Sequence, residues 1–197
     1  DDLDVKDDCD DFSMFPLLRL MCQFGPKVSP ELAARAKQAL LDGKYWPDEG
    51  GADSMCTWSE NHQFAYCVDA YLAGQLYPED TFSRAKHTGR EKMARFRPRI
   101  ERWLDFRFRT GFSEWLSNDY YSLDIASLTL LMDFAADEAL SNRAAMVLDT
   151  MLADMALNSF RGMFSATHGR SYEEDKKFAR REHTTAIGWL AFGMGWP

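Results

Sequence analysis

Residues 60–76 decide the fold: Glu60-Asn61-His62-Gln63-Phe64-Ala65-Tyr66-Cys67-Val68-Asp69-Ala70-Tyr71-Leu72-Ala73-Gly74-Gln75-Leu76. Phe64, Ala65, Val68, Tyr71 and Leu72 recur at the spacing of one helix face, and Tyr77-Pro78 ends the run. Working outward, Ser29-Pro30-Glu31 supplies an N-cap, a proline at the first helical position and a first-turn acid, and Gly43 a stop, so a helix is expected over 29–42. The intervening segment 44–57 holds Pro47, Gly50 and Gly51 and reads as a long loop of the kind that covers or carries a site. On the other side, 88–109 reads as a helix kinked or restarted near Pro98 and stopped by Gly111. A helix over 119–134 is apolar on all sides from Ile125 to Met132, which implies burial. Helices over 137–157 and 176–192 complete the chain.

No β alternation of comparable length interrupts this pattern, so the chain is expected to be all-α. The helices fall into pairs, 29–42/60–76, 88–109/119–134 and 137–157/176–192, in which amphipathic members alternate with more apolar ones. Such alternation fits helical hairpins with first helices outside and second helices inside, forming an arc or part of an (α/α) toroid. Stacked repeats bury each other's faces, and three pairs are too few to close a ring. Residues 29–197 are therefore expected to form a toroid-type helical domain belonging to a longer toroid, and residues 1–28 an acidic tail and lead-in. There is a faint internal echo: Glu60-Asn61-His62 leads to Ala73-Gly74 as Glu182-His183-Thr184 leads to Phe192-Gly193.

Composition narrows the class. Over 197 residues, 46% hydrophobic and 14% aromatic content suits a globular core. The net charge of −8 argues against nucleic acid and anionic membrane as partners. No apolar run reaches the roughly eighteen residues of a membrane span. The first residue is Asp rather than Met, compatible with a leader already removed and hence a secreted or periplasmic location. Residues 1–12 carry seven aspartates, a block expected to be solvated and mobile. From Arg84 to Arg109 there are ten Lys or Arg against three acids, which reads as a solvated outer helix face or, as the lesser reading, a strip attracting a polyanionic substrate. Cys9, Cys22, Cys56 and Cys67 lack CxxC spacing, so zinc is not expected, and no metal or other cofactor is implied. Cys67 reads as a small buried hydrophobe, and Cys9 with Cys22 as a pair available to an oxidising compartment.

Three polar and aromatic clusters stand at or before apolar helical segments: Trp58-Ser59-Glu60-Asn61-His62, Glu114-Trp115-Leu116-Ser117-Asn118-Asp119-Tyr120-Tyr121 and Thr167-His168-Gly169-Arg170-Ser171-Tyr172. A helical repeat brings all three to one end of the fold. In the first, His62 lies in the first helical turn, where free N–H groups and the positive dipole end favour anions and a neutral imidazole. Asn61 and His62 then either handle a carboxylate and a proton, or Asn61 caps the helix and His62 is a satisfied structural residue. In the second, Asn118 or Asp119 is expected to cap the next helix. Tyr120 and Tyr121 point about a hundred degrees apart, so at most one faces the site. Trp115 either offers a flat face of the kind sugars stack on or fills a core or lid position. In the third, His168, Arg170 and Tyr172 alternate and project to one side if extended, with Arg170 suited to a carboxylate.

These residues resemble the α/α-toroid polysaccharide lyases, the group containing chondroitin AC, alginate and glucuronan lyases. The resemblance implies cleavage of an acidic, uronic-acid polysaccharide or oligosaccharide by β-elimination. By that likeness Asn61 and Arg170 neutralise the uronate carboxylate, His62 or His168 is the base, and Tyr120, Tyr121 or Tyr172 protonates the departing O4. Glu60, Asn61, Trp115, Asn118 and Tyr121 are the expected substrate-binding residues. The order and spacing match no single lyase family, and the β-sandwich domains common to several are missing from the chain.

Three rivals stand beside this. An inverting glycoside hydrolase on the same toroid would use Glu60 with Glu114 or Asp119, needing carboxyls about 6.5–9.5 Å apart. Asp7-Asp8-Cys9-Asp10-Asp11 satisfies a DDxxD terpene-cyclase pattern and Asn118, Asp119 and Ser122 begin the second magnesium motif, but Ala126 stands where that motif needs a Glu. A non-catalytic helical-repeat binding module would bind through an exposed apolar patch.

Overall fold

The computed structural model describes residues 9–51 and 54–193, and within them the protein is all-α apart from one small hairpin. The main helices are α1 Asp10–Phe24, α2 Pro30–Asp42, α3 Glu60–Leu76, α4 Gly89–Thr110, α5 Tyr121–Phe134, α6 Glu138–Leu157, α7 Glu173–Lys177 and α8 His183–Phe192. Their starts follow from local chemistry. Ser29 Oγ accepts from Leu32 N–H at 3.3 Å, and Ser59 Oγ from His62 N–H at 3.4 Å. Thr88 and Glu91 form a reciprocal capping box, and Asp137 takes the Leu140 N–H.

α3 is buried along nearly its whole length, with only Gln63 exposed between Glu60 and Gly74. It packs most extensively on α4 and also meets α1 and α5; α5 in turn packs on α6, and α4 on α6. The apolar helices α1, α3 and α5 thus touch one another, while α4 and α6 flank them, burying one stripe each (Phe96, Ile100, Trp103 and Leu104; Leu140, Ala144, Val147, Met151 and Met155). Phe64 and Trp103 stack at 3.8 Å across the α3–α4 seam. The tightest point of that seam is a glycine pair. A Cβ on Gly89 would lie 2.2 Å from Tyr77 O and 2.5 Å from Gly74 O, so only glycine lets α4 begin there.

Several expectations need correction. Residues 1–8 lie outside the described set, but Asp10 and Asp11 are neither solvated nor part of a tail: they open α1 and are buried. The apolar residues that follow pull the helix into the core, Met14 and Leu18 being completely buried. α4 is not restarted at Pro98 but continues as one helix. Pro98 is exposed, so the carbonyl it leaves unbonded faces water. The basic residues of α4 are largely consumed by acids: Arg90 pairs with Glu79, Arg95 with Asp48, Arg97 with Glu101 and Asp137, and Arg107 with Glu60. Lys92 is fully buried against Glu49 at 2.7 Å, and desolvation pushes its ammonium down to about 8. This pair shows what the 44–57 loop does, carrying Tyr45 and Glu49 into the core. The expected helix over 176–192 is broken into α7, a 3-10 turn at Ala179–Arg181 and α8. After α6 the chain makes a hairpin, Ser159–Phe160 with Met163–Phe164, whose two turn residues Arg161 and Gly162 both have positive φ. No disulfide joins Cys9 to Cys22 or links Cys56 and Cys67, and burial pushes Cys67 up to about 12.

Candidate functional site

The start of α3, the segment 111–120 before α5 and the loop 168–172 before α7 come together through direct contacts. Glu60, the first residue of α3, is the anchor. Its carboxylate pairs with Arg107 Nη1 at 2.5 Å and accepts Ser113 N–H, Ser113 Oγ–H and Glu114 N–H at 2.7–3.0 Å. Every one of these donors is provided by the end of α4 or the turn after it, so Glu60 ties that turn to α3. Its role is architectural.

Glu114 is thereby turned inward, where it meets Arg170 Nη1 at 2.5 Å. Burial raises its carboxyl above the usual range, with Arg170 opposing the shift. The two partners are unequally placed: the Arg170 side chain is 44% exposed and that of Glu114 only 6%. The Arg170 guanidinium also lies 3.7 Å from the centroid of the Tyr120 ring, a cation–π stack. Tyr120 Oη donates to Tyr172 Oη at 2.9 Å, and Tyr172 is 62% exposed. Burial, then the hydrogen bond to Tyr172, raise the Tyr120 phenol above its usual range, against Arg170, so it stays protonated at neutral pH. The loop is clamped by Gly169 N–H donating to Trp115 O at 2.9 Å, which leaves the half-exposed Trp115 ring beside it.

His62 is placed from another direction. Its Nδ1 lies 2.7 Å from Asp11 Oδ2, and the Phe12 ring stacks on it at 4.6 Å. With Asp11 accepting the Nδ1 proton, the neutral tautomer carries its lone pair on Nε2. Asn61 Oδ1 accepts the His62 N–H at 2.6 Å as well as the Ser59 hydroxyl. Asn61 Nδ2 is buried without a partner, a donor in reserve. The Asn61 backbone N–H points to the Glu114 carboxylate, so the first cluster reaches the second and third through one residue.

The remaining expected residues divide clearly. Tyr121 is fully buried and its Oη accepts the Leu116 N–H at 3.2 Å, and of the two tyrosines it is Tyr120 that meets Arg170 and Tyr172. Asn118 does not cap α5, whose N-cap is Tyr120 with no side-chain cap bond. It is drawn instead to the C-terminal segment: Nδ2 donates to Asp175 O, Oδ1 accepts from Ser171, and its carbonyl accepts from Thr184 Oγ1 at 2.6 Å. His168 is half-buried, with neither ring nitrogen partnered. Asp11 is the residue that sequence reasoning missed. Its sequence signal was the apolar helical run following it, outweighed by the surrounding aspartates.

Among the described residues, carboxyl oxygens crowd within 4.8 Å in two places, Glu60/Glu114/Asp124 and Asp119/Asp175/Glu182. In the first, Arg107 already fills the cation's role. In the second, Glu182 shares a hydrogen bond with Asp175, and burial followed by that bond pushes it up to about 7, so a proton relieves the repulsion.

Compared with known proteins, the chain matches no protein family, no curated protein and no solved structure.

Proposed function

We propose that the chain is a carbohydrate-active enzyme that cleaves an acidic, uronic-acid-containing polysaccharide by β-elimination, on helical hairpins arranged as part of an (α/α) toroid. The observation that carries this reading is the position of Arg170: a half-exposed guanidinium stacked on Tyr120, whose hydroxyl is bonded to Tyr172. A cation beside two phenols suits a substrate that brings a carboxylate and a leaving oxygen together. The contacts among α1, α3 and α5, with α4 and α6 outside them, support the toroid-type arrangement.

In this reading Arg170 and the free Nδ2 of Asn61 hold the uronate carboxylate and offset the charge that develops on it. That stabilisation is needed because a proton alpha to a carboxylate is very weakly acidic. His62, oriented by Asp11, removes the C5 proton through Nε2. The C5–H electron pair forms the C4–C5 double bond as the C4–O4 bond breaks, and Tyr120 or Tyr172 protonates O4. Trp115 provides a stacking face at the rim. No cofactor is invoked.

The inverting-hydrolase alternative is less well supported. Glu60 and Glu114 have carboxyl oxygens within 4.8 Å, closer than the about 6.5–9.5 Å that admits a water across the sugar. Glu60 is also saturated by Arg107, Ser113 and the Glu114 N–H. The test is to incubate the protein with alginate, polyglucuronate, chondroitin and hyaluronan and follow the ultraviolet absorbance of unsaturated uronide ends. Absorbance growing with one polymer supports the reading; none with any member of the panel removes it.

A further inference from the structure

Behind Glu114 lies a residue for which the proposed chemistry has no use. Asp124, one turn into α5, is completely buried, and neither carboxyl oxygen has a partner. Its carboxyl lies within 4.8 Å of those of Glu60 and Glu114, and Glu114 Oε2 is likewise buried and unpartnered. Among the described residues, two cations serve these three carboxyls. Arg107 is committed to Glu60 and Arg170 to Glu114. An ionised Asp124 would leave one buried charge without compensation, whereas a protonated one balances the cluster.

We propose that Asp124 is a neutral carboxylic acid at physiological pH, that it donates its proton to Glu114 Oε2, and that it thereby positions Glu114 to receive Arg170. Among the described residues, the groups facing the pair are Glu60 from α3, Arg107 from α4, Arg170 from the 168–172 loop, and Tyr121 beside Asp124 on α5, with Asp154 of α6 facing Tyr121. None of them supplies a further cation. One oxygen of each carboxyl lies within 4.8 Å of one of the other, and the proposed hydrogen bond closes that gap. Glu114 then accepts at both oxygens, one turned out toward Arg170 and one held from behind. The consequence for substrate rests on the elimination reading: when Arg170 turns to a uronate carboxylate, Glu114 keeps one strong donor and is not stranded.

The test needs no substrate, so its outcome is separate from that of the elimination reading. Carboxyl carbons of Asp and Glu are labelled in the full chain, and the Asp124 resonance is assigned by its loss in Asp124→Asn. At pH 7 it is expected at the chemical shift of a carboxylic acid; a carboxylate shift there overturns the proposal. Asp124→Asn retains a donor toward Glu114 and should leave the Glu114 titration close to that of the wild type. Asp124→Leu removes the donor and should raise Glu114's proton affinity roughly tenfold. Equal Glu114 titrations in the wild type and both variants would also overturn the shared proton. If Asp124→Leu fails to fold, the wild-type shift and the asparagine variant still decide.

Discussion

Asp11 Oδ2 and His62 Nδ1 sit 2.7 Å apart across 51 positions of sequence, pinning the first turn of α1 to the first turn of α3. Both side chains are buried, and the Phe12 ring covers the imidazole. An aspartate in this position fixes the tautomer and orientation of a histidine, which is what a general base requires.

Replacing Asp11 by Asn is therefore expected to lower turnover about 10²-fold, within the range general-base catalysis contributes, with little change in KM. The check is steady-state kinetics on whichever uronate polymer is cleaved. Burial raises the Asp11 carboxyl although His62 opposes the shift. A raised folded-state value makes its contribution to stability largest at low pH, below its ordinary range, and smaller as pH rises through the folded value. Asp11→Asn should accordingly flatten the pH dependence of melting.

Arg170 and Glu114 form a charged pair with only one member buried, so the two single variants should differ. Arg170→Ala takes the paired cation from the buried Glu114 carboxylate and is expected to cost about 1–3 kcal/mol. Adding Glu114→Gln to it should recover part of that loss. A double-mutant cycle by chemical denaturation measures the coupling; a value near zero would mean the pair contributes nothing to stability.

Asp69 is fully buried in α3 with neither oxygen partnered, and desolvation, then the Asp11 charge, raise it well above the carboxylate range. The folded chain therefore binds this proton more tightly than the unfolded chain. Stability from Asp69 is complete below its unfolded value of 3.8 and falls as pH rises toward and through the folded value. Asp69→Asn removes that fall. Its melting temperature should match or trail the wild type in acid and exceed it at pH 8, measured by calorimetry at both pH values.

The glycine contact between α3 and α4 gives a test of packing. Gly89→Ala places a methyl 2.2 Å from the Tyr77 carbonyl, which no rotamer relieves. The expected destabilisation is about 1–3 kcal/mol by urea unfolding, the usual cost of overpacking. Gly25→Ala, where an added Cβ meets nothing within 4 Å, is the control.

Most of the helices were legible because their signals are local. Ser29-Pro30, Thr88 with Glu91, and Asp137 announce starts by chemistry confined to one turn, and Phe64 to Leu72 announces burial by period. What was illegible depended on distant partners. The aspartates at 10 and 11 read as solvated because nothing nearby in sequence partners them, whereas His62 bonds Asp11 from another helix. Pro98 reads as a kink or a restart, and the helix is not restarted there because the proline lies on its exposed side. Asn118 read as a cap because its real partners, Ser171, Asp175 and Thr184, lie more than fifty residues on. The contact between the clusters at Glu60, Glu114 and Arg170 was foreseeable from the helical rhythm. That Arg170 would face a carboxylate of its own chain was not, since Glu114 turns inward only once Glu60 has captured its N–H.

The most direct test of the account is the chemical identity of the cleavage product, read by proton NMR from wild-type protein, His62→Ala and Tyr120→Phe on the cleaved uronate polymer. The account predicts a C4–C5 double bond at every new non-reducing end, formed by the wild type and reduced at least about 10²-fold in both folded variants. Saturated ends carrying a solvent oxygen, or undiminished cleavage by both variants, would contradict it.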